Sequence, residues 1–417
     1  MQQTTDIEAE AVADLEAPPA QVLEKPALLK VLRHRNYRLF FAGQSISLIG
    51  FWMQAIAQSW LVYRLTESPL LLGLVGFAGQ APMLFISPFA GVIADRLDRR
   101  RILLVTQCIM MGSACLLAAL TLSGVVQVWH IILCALLTGT ANAFDVPTRQ
   151  SFTIEMVGRE DLPRAIALNS IMFNTARLVG PAIAGLLVAA VGEGWCIALN
   201  GASYIAVLAS LVAMRLEKRP AREESHPLSD LKEGFRYVTR DAQTRSLLAL
   251  LASSSVFGTA YITLMPIFAR DVLRGDSDSY GYLIAAVGAG ALTGALGITR
   301  VPRGLLTRMP YASAVTFGLG LIAFAQSTVF ALSMPLLVIT GLGMMGQGVS
   351  TNTLIQSSVP DAFRGRVMAY YVMAFIGMAP ISALIAGWLS HQIGAPTTLT
   401  IGGALVVIAA MVGYLRR

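Results

Sequence analysis

The residue with the most to say about chemistry is Arg177, a lone cation inside a long apolar run, with Ser170, Asn174 and Pro181 recurring near it at helical spacing. An isolated charge midway through a bilayer costs about 2.5–3.5 kcal/mol on insertion scales, so this face cannot look into lipid. Two roles fit it. Arg177 either bonds backbone carbonyls, Asn142 or Asp145 and holds structure, or it faces a cavity and attracts an anionic or polar guest. With helix ends read from the apolar runs, all 24 carboxylates fall in tails, loops or helix ends. Asp145, at the end of the fourth run, is the nearest acid and the coupling candidate, with Asp95 second.

Other chemistry is excluded by what the chain lacks. Cys108, Cys115, Cys134 and Cys196 lie in apolar stretches without a CxxC pair, and His34, His130, His226 and His391 show no ligand spacing. No Gly-rich phosphate loop, acid pair or nucleophile–base set occurs, so no metal, cofactor, catalytic residue or built-in ATP motor is expected.

The elements that must position these residues follow from composition. Of 417 residues 55% are apolar and 13% charged, with a mean hydropathy of +0.64. Soluble domains carry about 25% charged residues, so an all-α polytopic membrane protein is the class that fits. Apolar runs predict helices near 37–64, 70–94, 101–122, 126–148, 165–190 and 195–215, then 246–270, 280–299, 308–328, 331–355, 366–390 and 397–415. With alternating spans, only Arg64, Arg270 and Arg274 of the 31 basic residues fall on one side, and Arg177 lies within a helix. That bias predicts twelve spans with both termini cytoplasmic, and it reads the net charge of +7 as topology rather than nucleic-acid binding.

Residues 1–36 read as a tail, first acidic (Asp6, Glu8, Glu10, Asp14, Glu16, Glu24), then basic, with no signal-peptide pattern. Residues 37–215 and 246–417 form two six-helix bundles. The 216–245 connector carries Leu228, Leu231, Phe235 and Val238 at spacings of three and four, which predicts an amphipathic helix on the membrane surface. The halves repeat weakly. At an offset of 202, Val157, Arg164, Gly185 and Gly192 match Val359, Arg366, Gly387 and Gly394; at 208, Gly50, Leu65 and Gly73 match Gly258, Leu273 and Gly281. Parallel repeats about an axis along the membrane normal are a transporter architecture.

Residues 91–101, GVIADRLDRRR, resemble the signature of the major facilitator superfamily between its second and third helices, with Asp98 in place of the second Gly. FDVPTRQ, ALNS and ARLVGPAIAG in 144–192, with QSSVP and RGRVMAYY after 356, resemble the branch holding enterobactin exporters and macrolide efflux proteins. The resemblance covers the chain from about residue 30 and implies a fold of two pseudo-symmetric six-helix bundles. It implies a gate in which Gly91, Asp95, Arg96, Arg99 and Arg100 latch onto the start of the eleventh helix near Arg364 and Arg366; the alternative is a basic cluster that only sets topology. Gly180, Pro181 and Gly185 resemble the exporter motif of the fifth helix, against the alternative of an ordinary close-packed pair.

A cavity between helices 1, 4, 7 and 10 is implied as well. Its lining candidates are Gln44, Phe51, Gln54, Gln58, Asn142, Asn174, Arg177, Thr259, Gln347 and Thr351. Amides beside aromatic rings suit a large amphipathic guest, although such groups also bond helices together. The expectation is an inner-membrane, monomeric efflux transporter for a siderophore, macrolide or other drug. Alternating access, proton coupling, and a lipid bilayer but no nucleic acid as partner complete it. A non-transporting receptor or scaffold on the same fold is the alternative, and an enzyme is not expected.

Overall fold

A computed structural model describes residues 29–215 and 227–415, with side chains other than those of 87–89, 91–96, 227–232, 303 and 361–362. Twelve membrane helices run in sequence. The first six are α1 (Arg35–Thr66), α2 (Pro69–Arg96), α3 (Arg99–Leu122), α4 (Val128–Val157), α5 (Leu162–Val191) and α6 (Glu193–Ala213). A linker helix, Pro227–Arg240, precedes α7 (Ala242–Val272), α8 (Ser277–Ile298), α9 (Met309–Ala325), α10 (Phe330–Ser358), α11 (Phe363–Ile393) and α12 (Ala395–Leu415). Eleven are long and apolar enough to span a bilayer, and α9, at 17 residues, is a shorter apolar helix. No strand occurs among the described residues. The all-helical, twelve-helix fold expected from the hydropathy runs is the fold observed.

The helices pack as the repeat implies. Within the first half α1 packs on α6, α2 on α4 and α3 on α6; within the second α8 packs on α10 and α9 on both α10 and α12. The halves meet along two crossings, α2 with α11 and α5 with α8. Each is a glycine pair. A Cβ on Gly387 would sit 2.8 Å from Gly73 Cα, and one on Gly281 would sit 2.9 Å from Gly185 Cα. Because backbones approach this closely only without side chains, the repeated Gly73/Gly281 and Gly185/Gly387 are the residues on which the halves touch. Neither crossing resembles the loosely packed outer surface, where Ile205, Val212 and Leu296 stand exposed as lipid-facing side chains do.

Two expectations are revised. Helix 4 does not stop near 148 but continues through Pro147 to Val157, so Asp145 lies well inside it with about three turns beyond. A carboxylate therefore does sit within a membrane helix. The linker helix is not simply laid on a surface: Gly234 is buried against Arg366 and Tyr370 of α11, and Tyr237 stacks on Phe363 at 5.2 Å. Leu228 and Leu231 lie outside the described side chains, as do residues 1–28 of the tail.

π-Turns are confined, among the described residues, to the second half. Ser254–Gly258 and Phe268–Val272 of α7 and Met373–Gly377 of α11 are π-turns. Ser255 Oγ donates to Phe375 O at 3.1 Å, so two of the three touch. Such turns release one backbone bond each and recur at functional sites.

Candidate functional site

The interior is built from α1, α4, α5, α7 and α10. On α5, Arg177 lies over the Trp52 ring of α1, 5.8 Å from its centroid. Trp52 is boxed in by Phe173 and Phe51, at 5.8 and 5.9 Å, both edge-on. Gly180 makes this possible, since a Cβ there would fall 2.6 Å from Trp52 Cβ. Among the described residues Arg177 makes no ion pair and no hydrogen bond, so neither Asn142 nor Asp145 balances it. Asn174, one turn earlier, is exposed and donates its amide to Ser170 O at 2.8 Å. Asn142 is half-buried.

Asp145 has other partners. Its carboxylate, 1% exposed, accepts from Thr106 Oγ1 at 3.1 Å and Gln107 Nε2 at 2.9 Å, both on α3, and pairs with Arg149 at 3.1 Å. This is a satisfied buried ion pair, one turn of helix apart. Arg149 was absent from the sequence-based candidates, though the i, i+4 spacing of Asp145 and Arg149 carried the signal.

The amide stripe divides. Gln54 accepts from Asn200 Nδ2 of α6 at 2.6 Å, and Gln347 donates to Ser254 Oγ of α7 at 2.9 Å, so both tie helices together. Thr259 bonds Ser382 of α11 at 3.1 Å. Gln44 and Thr351 are buried, and Gln44 Oε1 and Thr351 Oγ1 have no partner. Phe51 and Gln58 are half-buried, with Gln58 Oε1 3.4 Å from Gln54 Nε2.

At the end of the helices away from the linker, the halves are sealed by polar and aromatic contacts. Arg270 of α7 donates to Glu67 Oε1 at 2.8 Å, Tyr63 of α1 donates to Asp271, and Trp60 stacks on Tyr280 of α8 at 6.1 Å. Glu67 caps α1 in the left-handed conformation (φ 49°). Beside the seal Arg64 bonds Glu193 at 2.7 Å, and a cavity of about 460 Å³ opens between Trp60, Arg64, Glu193, Arg270, Asp276 and Ser277. Gly185 belongs to this region through Ser277, whose hydroxyl faces its carbonyl at 3.4 Å; Pro181 O lies 2.7 Å from where a Gly281 Cβ would be. Sequence reasoning missed the seal, because its members lie at or near helix ends and pair across the halves, Tyr63 with Asp271 208 residues away and Glu67 with Arg270 203 away.

Toward the linker side, Arg99 pairs with Glu155 at the end of α4 at 2.5 Å, and Arg100 donates to Val212 O of α6 at 2.8 Å. Arg366 pairs with Glu233 of the linker helix at 2.7 Å, and Arg364 is half-buried two residues before it. The side chains of Gly91, Asp95 and Arg96 lie outside the described residues, and the latch between them and α11 with them. Here too Asp161, at the start of α5, gathers Arg33 (3.1 Å), His34 (2.8 Å) and Arg164 around a carboxylate 2% exposed. Bonds from His34 and Arg164, then Arg33, hold its pKa down at about 2, against the opposing effect of burial.

Residues 27–417 match the transmembrane secretion effector family model. The chain is 25% identical to the staphyloferrin A transporter of Staphylococcus aureus over 90% of its own length and 95% of that protein's. It is 25% identical to the multidrug efflux pump Tap of Mycolicibacterium fortuitum (90% and 93%), and 26% identical to the enterobactin exporter EntS of Shigella boydii (92% of each). Its fold is shared with a bacterial homologue of the human lysosomal transporter Spinster (TM-score 0.69, 14% identity, 94% and 97% covered) and with the peptide transporter PepTSo (TM-score 0.71, 13% identity, 92% and 97% covered). These relatives are membrane transporters rather than enzymes. The twelve-helix bundle with its repeated glycine crossings and the family match agree: the chain belongs to the transmembrane secretion effector family of the major facilitator superfamily.

Proposed function

We propose that the protein exports an amphipathic small molecule, such as a siderophore, macrolide or other drug, by alternating access of its two halves in exchange for protons. The observation that carries this reading is the seal of Tyr63–Asp271, Glu67–Arg270 and Trp60–Tyr280 between the halves. It consists of side-chain contacts that can part without unfolding a helix, while the glycine pairs of α2–α11 and α5–α8 let the halves rock. The basic residues gathered on the linker side support a cytoplasmic linker and cytoplasmic termini, with the seal facing outward. The names of the relatives support siderophore export or drug efflux across the inner membrane.

In this cycle the bundles of 37–215 and 246–417 are the moving bodies, and the 216–245 linker tethers one to the other. Asp95 with Gly91, Arg96, Arg99 and Arg100 latches the cytoplasmic side onto Arg364 and Arg366 when the outward seal opens. Asp145 carries the coupled proton: neutralising it frees Arg149, which changes how α4 is held to α3. The guest is held in the cavity between the halves, and the protein works as a monomer in the lipid bilayer with no nucleic-acid partner.

Inside-out vesicles containing the protein should accumulate ethidium or a siderophore when their lumen is made acidic, and lose the gradient on adding an uncoupler. Uptake equal to that of empty vesicles for every compound would overturn the efflux reading and leave a receptor or scaffold. Uptake indifferent to the uncoupler would overturn proton exchange alone. Asp95→Asn should insert normally yet abolish transport; unchanged export by that variant would remove the latch.

A further inference from the structure

We infer that Arg177, Trp52 and Phe173 form a recognition site for an aromatic or conjugated anion, and that this site sets the charge preference of the transported guest. The inference deepens the export reading and rests on it. Arg177 is a permanent cation within a membrane helix, partly exposed and without a carboxylate or hydrogen-bond partner among the described residues. A structural arginine at that depth would be paired, as Arg149 is with Asp145 at 3.1 Å. Arg177 instead rests over the indole ring at 5.8 Å from its centroid, a contact that leaves its N–H groups unspent.

Its surroundings lean the same way. Trp52 Nε1–H is buried without an acceptor, so the nest presents donors and rings but no anionic acceptor. Phe173 is 45% exposed beside it and offers an open aromatic surface. The charge also lies near the boundary between the halves, because Leu178, its neighbour on α5, packs on Gly288 of α8, its Cα 3.5 Å from where a Cβ on that glycine would sit. A planar anion would stack against Phe173 while its oxygens accept from the guanidinium fork. A cationic guest would meet an uncompensated positive charge, which a partly desolvated site punishes far more than water does.

The probes are 2-naphthoate and its cationic counterpart (2-naphthylmethyl)trimethylammonium, measured by equilibrium dialysis on the full chain in lipid nanodiscs near neutral pH. Wild type should bind the anion about tenfold or more tighter than the cation. Arg177→Gln should weaken anion binding by about ten- to a hundredfold, the range of a lost charge-assisted contact. Arg177→Lys should fall between, since it keeps the charge without the planar fork. Trp52→Phe, which keeps a ring, should lose only about threefold.

Equal binding of anion and cation, no measurable binding of the anion to wild type, or anion affinity unchanged in correctly eluting Arg177→Gln would each overturn the site. Should Arg177→Gln fail to yield folded protein, the order wild type, then Trp52→Phe, then Arg177→Lys must still hold, and its reversal overturns the site. Failure of the export reading looks different: charge-selective binding would persist while vesicles transport nothing. Ethidium uptake with no preference for naphthoate would instead sink the site and spare export.

Discussion

The two halves share a plan and differ in their interiors. Both place a glycine pair at the crossing to the other half, and both bind helices through buried amides, Gln54–Asn200 in one and Gln347–Ser254 in the other. Only the first half holds charges deep in its described helices, Arg177 and the Asp145–Arg149 pair. Only the second bends its described helices with π-turns, in α7 and α11. The division is one of depth: the first half keeps its deep charges on α-helix, interrupted at Pro147 and Pro181, whereas the π-turn at the end of α7 holds the charges of the seal, Arg270 and Asp271. Fixing a charge in low dielectric demands rigid partners, because a few tenths of an ångström change its energy steeply.

The largest effect should come from breaking the charged side. Asp145→Ala strands Arg149 and leaves the Gln107 amide unpaired, while Thr106 keeps its bond to Leu103 O, which should cost about 3 kcal/mol and remove transport. Asp145→Asn keeps the shape and an acceptor, so it should recover most of the stability but none of the proton-driven uptake. Thermal unfolding in detergent, beside vesicle uptake, separates these outcomes. Full uptake by Asp145→Asn would mean that the pair is structural and that the halves do not divide their work in this way.

The shared plan is tested next. Gly185→Ala and Gly387→Ala each push a methyl group into backbone, 2.8 Å from Ser277 O and 2.6 Å from Pro69 O respectively. Over-packing of this kind costs about 1–3 kcal/mol, and because the crossings are equivalent the two variants should lose stability by similar amounts. A loss confined to one would show that only that crossing bears on the interface between the halves. Ser255→Ala should be milder. It removes the bond to Phe375 O that joins two π-turns, worth about 1 kcal/mol, and should alter uptake rate more than unfolding temperature.

Much of this was legible in the sequence, and the exceptions share a cause. Helix count came from apolar runs, the two-part repeat from matches at offsets of 202 and 208, and the importance of Arg177 from its being a charge where charges are costly; that the repeated glycines meet at the crossings was not foreseen. Asp145 was placed too shallow because polar FDVPTRQ reads as a helix end, whereas α4 continues past Pro147, forgoing that residue's backbone bond, and packs on α2 and α3. The seal between the halves, the docking of the linker helix on α11 and the π-turns depend on contacts between distant segments, and no local period announces them. The boundaries of the candidate site were therefore readable where a residue's own cost betrays it, and hidden where only its partner does.

The smallest effect concerns the chain's entry into α1. Asp161 ties Arg33 and His34, just before α1, to the start of α5. Its carboxyl titrates at about 2, below the usual 3.8, so the folded state favours the charged form. The stabilisation is therefore complete above about pH 4 and disappears as pH falls from there toward 2. Asp161→Asn should mimic the acid form at neutral pH, with the segment around Arg33 released and cut faster by trypsin at Arg33 and Arg35, while uptake changes little. Because this tether joins two elements of the first half, its loss should leave the α2–α11 and α5–α8 crossings intact. Cleavage that also slowed transport would show that the entry to α1 moves with the gate rather than with the half that holds the charges.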